Sequence, residues 1–443
     1  MIFSSIEFII FFLIFCFLLN LFKNNQKIII VIFSLFFYAY WNPIFVSLII
    51  YLSLLTYLLY RFKISLPISF LSISLPLIYF KYSNFIFKII GFEELINLAY
   101  QSELPLAISF ITFTALAFVI DAKNKKFTEE ISFISFLEFI AYFPQLIAGP
   151  ILRANELIPE LKKKITFEKD NIKFGLLLFL IGFIKKVYFA DNIGLIIDPI
   201  FADSGEASEN DLIKGFLLFP LQIYFDFSGY VDMALGVSKI LSINLPINFN
   251  KPYLTTSLTD FWRNWHITLS NWFRDYLYIP LGGSKRTDFI LFFNLMLTMS
   301  IAGLWHGANF NFIIWGAING LFLFLEKKIT FKSFINEKIK IFLNCFLIFN
   351  LWLIFRIQDL SFFIEYFINL YLNFQLFFIT ENLCLLLFVV LAIISQKYDN
   401  YFFIQKFAKK INLTFVLPIL ILIIFIGLSF NSGTSDKFIY FNF

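Results

Sequence analysis

Apolar runs close to twenty residues long recur from one end of the 443-residue chain to the other. They fall at about 4–22, 28–41, 44–60, 64–80, 104–120, 131–151, 174–190, 212–241, 288–304, 310–325, 341–356, 361–379, 382–395 and 413–430. A helix of about 20 apolar residues crosses a bilayer core. Only 15% of the residues are charged and 60% are hydrophobic, for a mean hydropathy of +0.81. A water-soluble domain needs roughly a quarter of its residues charged to cover its surface. The pattern predicts an all-α, polytopic membrane protein of about 10–12 transmembrane helices, built as a single integral-membrane domain over residues 1–443.

The formal charge of +5 does not point to nucleic acid, because the Lys and Arg residues cluster in short loops where they set topology. Lys23 and Lys27, Arg61 and Lys63, and Lys123, Lys125 and Lys126 read as cytoplasmic. The acidic loop 191–211 (Asp191, Asp198, Asp203, Glu206, Glu209, Asp211) reads as external, which puts the N-terminus outside. Residues 4–22 lack a basic leader and a small-residue cleavage site, so they are expected to be a retained first span. The 67 Phe residues fit a bias towards AT-rich codons, with much of the Phe facing lipid. Cys16, Cys345 and Cys384 all lie in apolar runs without metal-ligand spacing.

One run conflicts with a simple crossing. Residues 121–130 and 160–173 both read as cytoplasmic, yet only 131–151 lies between them. That run ends in Phe143-Pro-Gln-Leu-Ile-Ala-Gly-Pro150, whose prolines and glycine break helices. A re-entrant segment resolves the conflict, and such segments exist only beside protein or a water-filled cavity.

The stretch 242–287 is the longest without a clear span. Ser257-Leu-Thr-Asp260 resembles a capping box. Phe261, Trp262, Trp265, Leu269, Trp272, Phe273 and Tyr276 then recur at helical spacing, with Arg263, Arg274 and Asp275 among them. The pattern predicts one amphipathic helix over 255–278, at a membrane interface or a cavity mouth.

The chain has two histidines. His266 closes Phe261-Trp-Arg-Asn-Trp-His266, and His306 lies in Gly303-Leu-Trp-His-Gly307. A histidine in an apolar setting is often structural, but ionisable groups at membrane depth usually face a cavity or a relay. Neutral imidazole can take a proton from an alcohol that attacks a thioester. Two histidines alone cannot build a catalytic zinc site, which takes three protein ligands, so no metal is expected. Asp226 and Ser228 sit in the apolar Gln222–Asp232 stretch, where a hydrogen-bond network of the acid with Ser228, Tyr224 or an arginine such as Arg263 would satisfy it, with the orienting of a histidine as a second reading for Asp226. Arg153 and the pair Lys185-Lys186 read as topology-setting, with attraction for the phosphates of an acyl carrier as a second reading.

Taken together, these segments resemble the membrane-bound O-acyltransferase superfamily, in its bacterial alginate and peptidoglycan O-acetylation branch. The resemblance rests on Leu104–Phe110 with Thr112-Phe113 and Val119-Ile-Asp121, on Phe143–Pro150 with Arg153, on Gly182–Lys186 with Ala190-Asp191, and on Tyr224–Tyr230 with Asp232-Met-Ala234. It continues through Leu245–Tyr253, Phe261–His266, Trp272–Gly283 and Gly303–Gly307 with Trp315-Gly316, which makes about 104–320 the motif-bearing core. Ala107 stands where relatives usually carry Gly, and Thr114 where Gln is common.

The resemblance implies many helices around a central tunnel. It implies that His306 is catalytic and His266 lines the tunnel, with Arg153, Trp262, Arg263, Trp265, Trp305, Asp226 and Ser228 as donor-binding candidates. It further implies acetyl-CoA as acyl donor, a cell-envelope glycan as acceptor, membrane lipid around the chain, and a bacterial inner-membrane, multi-pass location. No SGNH-type hydrolase segment is present in these residues, so a separate periplasmic SGNH-type O-acetyltransferase is expected to complete the transfer. Peptidoglycan is the favoured acceptor. Alginate or another exopolysaccharide, and D-alanyl transfer to teichoic acid, are alternatives within the class. A non-enzymatic transporter or scaffold is the alternative outside it.

Overall fold

A computed structural model of the chain describes residues 1–92, 104–147, 149–202, 208–285, 287–329, 336–372 and 382–430. Ala148, Asp203 and Glu206 of the sequence reading, and residues 373–379 of the run at 361–379, lie outside the described residues. The described residues form helices and connecting turns, with no β-strand among them. Among the described residues, five helices are long and apolar enough to cross a membrane: Pro43–Arg61, Leu66–Ile90, Asp288–His306, Phe310–Lys328 and Glu337–Arg356. Five shorter helices among the described residues are also apolar: Ile6–Leu21, Gln26–Ala39, Leu360–Leu372, Leu383–Ser395 and Leu417–Ser429. The architecture is that of an all-α, multi-pass membrane protein.

The chain divides into two compact units. The first holds residues 1–182, 230–246 and 408–428, and the second holds 183–229, 247–407 and 429–443.

In the first unit, the run at 131–151 is broken as its prolines require. Helix Phe133–Ala141 stops at Tyr142, and a single turn, Phe143–Leu146, follows. Breaking a helix frees backbone groups, which must find partners away from water. Ser34 Oγ accepts from the Phe143 N–H at 3.1 Å, and Gln145 Nε2 donates to the Phe139 carbonyl at 2.7 Å. The turn is buried, and the Phe143 ring packs 5.3 Å from both Phe11 and Phe15. Phenylalanine serves both the core and the exposed surface. Phe8, Phe15 and Phe143 build the core, while Phe17, Phe289 and Phe342 are exposed as a lipid-facing residue would be.

In the second unit, helices Asp288–His306 and Phe310–Lys328 pack backbone against backbone. A Cβ on Gly303 would lie 1.9 Å from the Phe312 carbonyl oxygen, and one on Gly316 would lie 2.1 Å from that of Met299. Small residues at helix contacts replace the hydrophobic drive that lipid cannot supply.

The acidic stretch after Ala190 also departs from its sequence reading. Asp191–Ala202 is helical, and Asp191 is buried rather than in an external loop. Ion pairing with Lys186, described below, holds it there.

Ala107 precedes helix Ile108–Lys123 at φ 60°, in the left-handed region that favours glycine. Glycine at this position removes a steric penalty of roughly 1–2 kcal/mol. Ala107→Gly is expected to raise the unfolding temperature of the detergent-purified protein, and an unchanged or lower midpoint would contradict this reading of the backbone.

Candidate active site

The predicted helix over 255–278 is divided in two, with a π-helical turn, Arg274–Tyr278, continuing the second part. Leu258–Asn264 and Ile267–Phe273 are separated at Trp265 and His266, and His266 lies at φ 43°, ψ 54°. Half of the expected capping box is present: Ser257 Oγ accepts from the Asp260 N–H at 3.0 Å, while the Asp260 carboxylate pairs with Arg263. Glu326 adds a second cap from another helix, accepting from the N–H groups of Leu258 and Thr259 at 3.1 and 2.9 Å.

The break itself is made from outside. Asn248 supplies its backbone carbonyl to the Ile267 N–H and its Oδ1 to the Thr268 N–H, both at 3.0 Å. The Asn250 N–H donates to the Asn264 carbonyl, also at 3.0 Å. These bonds replace those that a continuous helix would have made. No local pattern in 255–278 announces them, because the partner lies about twenty residues upstream.

His306 ends its helix, with Gly307 extended beyond it and Asn309 Oδ1 capping the next helix at the Asn311 N–H, 3.3 Å away. Its imidazole is buried among rings set nearly at right angles to it: Trp305 at 5.0 Å, Phe355 at 5.1 Å and Trp315 at 5.5 Å. The His266 ring meets Phe227 edge to face at 4.7 Å and Trp305 at 6.1 Å. Trp305 is therefore a neighbour of both histidines. Burial pushes the His266 imidazole down to about 3, so it is neutral at physiological pH.

Both histidines line one cavity of about 710 Å³, its open mouth included. Trp262, Trp265, Leu269, Phe273 and Trp315 form apolar walls, and Ser270, Thr298, Arg274 and Tyr278 bring polar groups. A largely apolar pocket of this size with a few polar groups is the usual form of a small-molecule site. Trp262 is held by its indole N–H, which donates to Asn319 Oδ1 at 3.2 Å.

The other site candidates are distributed differently. Trp305 is buried between the histidines but is not part of the cavity lining. Arg263 is exposed and pairs with Asp260 at 3.2 Å, outside the lining. Arg153 belongs to the first unit, at the start of helix Ala154–Leu161, where its N–H donates to Glu156. Ser228 is buried beside Asp226 and Phe227 in sequence.

Asp226 does not pair with Arg263. Its Oδ1 lies 2.5 Å from Lys186 Nζ, which also meets Asp191 at 2.8 Å. Lys185 pairs with Asp399 at 2.5 Å, and Tyr224 donates to the same carboxylate at 2.6 Å. The two lysines are buried, not loop residues open to a carrier's phosphates. They sit on a π-helical turn, Ile184–Ala190, a feature frequent at functional sites. The partners are far apart in sequence, so the run of Lys185-Lys186 alone could not reveal them. The triad fixes helix Glu209–Ile240 at Asp226, and the next residue, Phe227, faces His266.

Among the described residues, no group of three or more His, Cys, Asp and Glu side chains is gathered that could hold a metal ion.

The family profile described as MBOAT, membrane-bound O-acyltransferase family, matches residues 33–364. With the helical membrane fold in place, the chain belongs to the membrane-bound O-acyltransferase family. It is 40% identical over 252 residues to the protein named probable alginate O-acetylase AlgI of Pseudomonas aeruginosa, covering 56% of this chain and 48% of that one. It is 42% identical over 236 residues to the peptidoglycan O-acetyltransferase of Helicobacter pylori, covering 52% and 45%. To the teichoic acid D-alanyltransferase of Bacillus subtilis it is 31% identical over 236 residues, covering 49% and 58%. The chain spans about half the length of the relatives it matches.

Removing one member of a buried ion pair strands its partners, at a cost of about 3–5 kcal/mol. Lys186→Met is expected to lower the unfolding temperature sharply, and the double variant Lys186→Met/Asp226→Leu to recover part of the loss. A double-mutant cycle in detergent measures this, and strictly additive losses would contradict the pairing.

Proposed function

We propose that this protein is a membrane O-acyltransferase that takes acetyl groups from acetyl-CoA and passes them on for O-acetylation of a cell-envelope glycan. The observation that carries this reading is that the chain's two histidines line one largely apolar cavity, in a chain of the acyltransferase family. Its apolar walls offer water few hydrogen-bond partners, and water would otherwise compete with the acceptor for the acyl group.

The chemistry needs few groups. The imidazole of His306 takes the proton of an acceptor hydroxyl as its oxygen attacks the thioester carbonyl. The carbon–sulfur bond breaks, the CoA thiolate leaves, and the proton held by His306 goes to the sulfur. His266, neutral through burial, orients the donor or relays a proton. The tryptophans around both rings hold the imidazoles in place.

Peptidoglycan is the proposed final acceptor, reached through a periplasmic SGNH-type transferase, with this chain in the bacterial inner membrane. The named activity of the Helicobacter pylori relative supports that choice. Alginate or another exopolysaccharide is the second reading, supported by relatives at nearly the same identity.

The test is base-released acetate from purified peptidoglycan. Deletion of the gene is expected to remove it, and neither His306→Ala nor a vector control restores it, although the His306→Ala protein is inserted at the wild-type level. Acetate unchanged in the deletion strain would exclude peptidoglycan and send the assay to the other envelope glycans. Full restoration by His306→Ala would remove that histidine from the mechanism.

A further inference from the structure

Two helices of the first unit end in the same unusual way. Helix Val46–Arg61 closes with the Ile64 N–H donating to the Leu59 carbonyl at 3.0 Å, and helix Ile108–Lys123 closes with the Lys126 N–H donating to the Asp121 carbonyl at 2.8 Å. Each closure places one residue in the left-handed region: Lys63 at φ 52° and Lys125 at φ 57°. Glycine ordinarily fills that position, because any side chain there is crowded. Lysine occupies it twice.

Both lysines open on the same cavity of about 820 Å³, which Arg61 and Lys123 also line. Glu130 is the one acid in the lining, 3.8 Å from Arg61. Four cations thus face one carboxylate. Lys123 donates to the Lys63 carbonyl at 2.8 Å, which ties the two helix ends together. Among the described residues, neither Lys63 nor Lys125 pairs with a carboxylate. The inner wall is apolar, from Leu59, Val119 and Ala122.

The depth of this cavity is informative. Pro43–Arg61 is long and apolar enough to cross a membrane, and it ends at Arg61. Phe62, next in sequence, is 70% exposed. A cavity at the end of a spanning helix stands at the level of lipid headgroups, where basic residues attract anionic lipid. Lysines that only set topology or face a helix C-terminus need neither a shared cavity nor the position that glycine prefers.

We infer that this cavity binds the phosphate of an anionic membrane lipid, with Lys63, Lys125 and Arg61 around the headgroup and Leu59 and Val119 against its glycerol end. The site is independent of the acyl-transfer reading and concerns the first unit alone.

Thermal unfolding of the full chain in neutral detergent tests it, with phosphatidylglycerol, phosphatidylcholine or inorganic phosphate added. Phosphatidylglycerol is expected to raise the midpoint by several degrees through preferential binding to the folded state, whereas the other two leave it unchanged. The double variant Lys63→Gly/Lys125→Gly is expected to unfold at a higher temperature than the wild type without lipid, since glycine relieves both left-handed positions, yet to lose most of the phosphatidylglycerol shift. Arg61→Gln, at ordinary backbone geometry, is expected to reduce the shift as well. A phosphatidylglycerol shift equal in all three proteins, or absent from the wild type, overturns the proposal. The same shift from inorganic phosphate alone assigns the cavity to free phosphate and overturns the lipid.

Discussion

Helices Asp288–His306 and Phe310–Lys328 touch through bare backbone, and the catalytic proposal depends on that contact. Lipid offers no hydrophobic reward for bringing two apolar helices together, so close van der Waals packing has to do it. Gly303 and Gly316 permit an approach that any larger residue would block. The approach brings Trp315 of the second helix against His306 at the end of the first. The imidazole then sits in a cage of three rings rather than in lipid or water. A ring held on several sides has few rotamers left, which is the pre-organisation that general-base chemistry requires.

The second histidine is placed by a different device. His266 occupies a break between two short helices, and that break exists because Asn248 and Asn250 satisfy the backbone groups it frees. Polar backbone away from water is tolerated only with such partners. The ion triad of Lys186, Asp191 and Asp226 belongs to the same logic. It fixes the helix that carries Phe227 onto the His266 ring. Buried charge here acts through geometry, by holding the helix that carries Phe227.

Much of the fold is legible in the sequence, because a membrane imposes one dominant rule on helix length and polarity. The apolar runs, the interruption at Phe143–Pro150, the cap at Ser257 and the isolation of two histidines all follow from local composition. What stayed hidden depends on partners distant in the chain. Six ring residues and Leu269 at helical spacing suggested a continuous helix over 255–278, and hydrogen bonds from Asn248 divided it. Lys185 and Lys186 looked like loop charges, and carboxylates at positions 191, 226 and 399 buried them. Asp191 looked like part of an external loop for the same reason. Of the donor-binding candidates, Trp262 and Trp265 line one cavity with both histidines, whereas Trp305, Arg263, Asp226, Ser228 and Arg153 are not in its lining.

The central claim is that acyl transfer takes place in the cavity beside His306. The most direct measurement is the rate of CoA release from acetyl-CoA by the purified chain in lipid nanodiscs, with a soluble hydroxyl acceptor present. The account predicts steady release by the wild type and, for folded His306→Ala, a rate lower by about 100-fold or more, the usual contribution of a positioned base. Release by His306→Ala at the wild-type rate would contradict it.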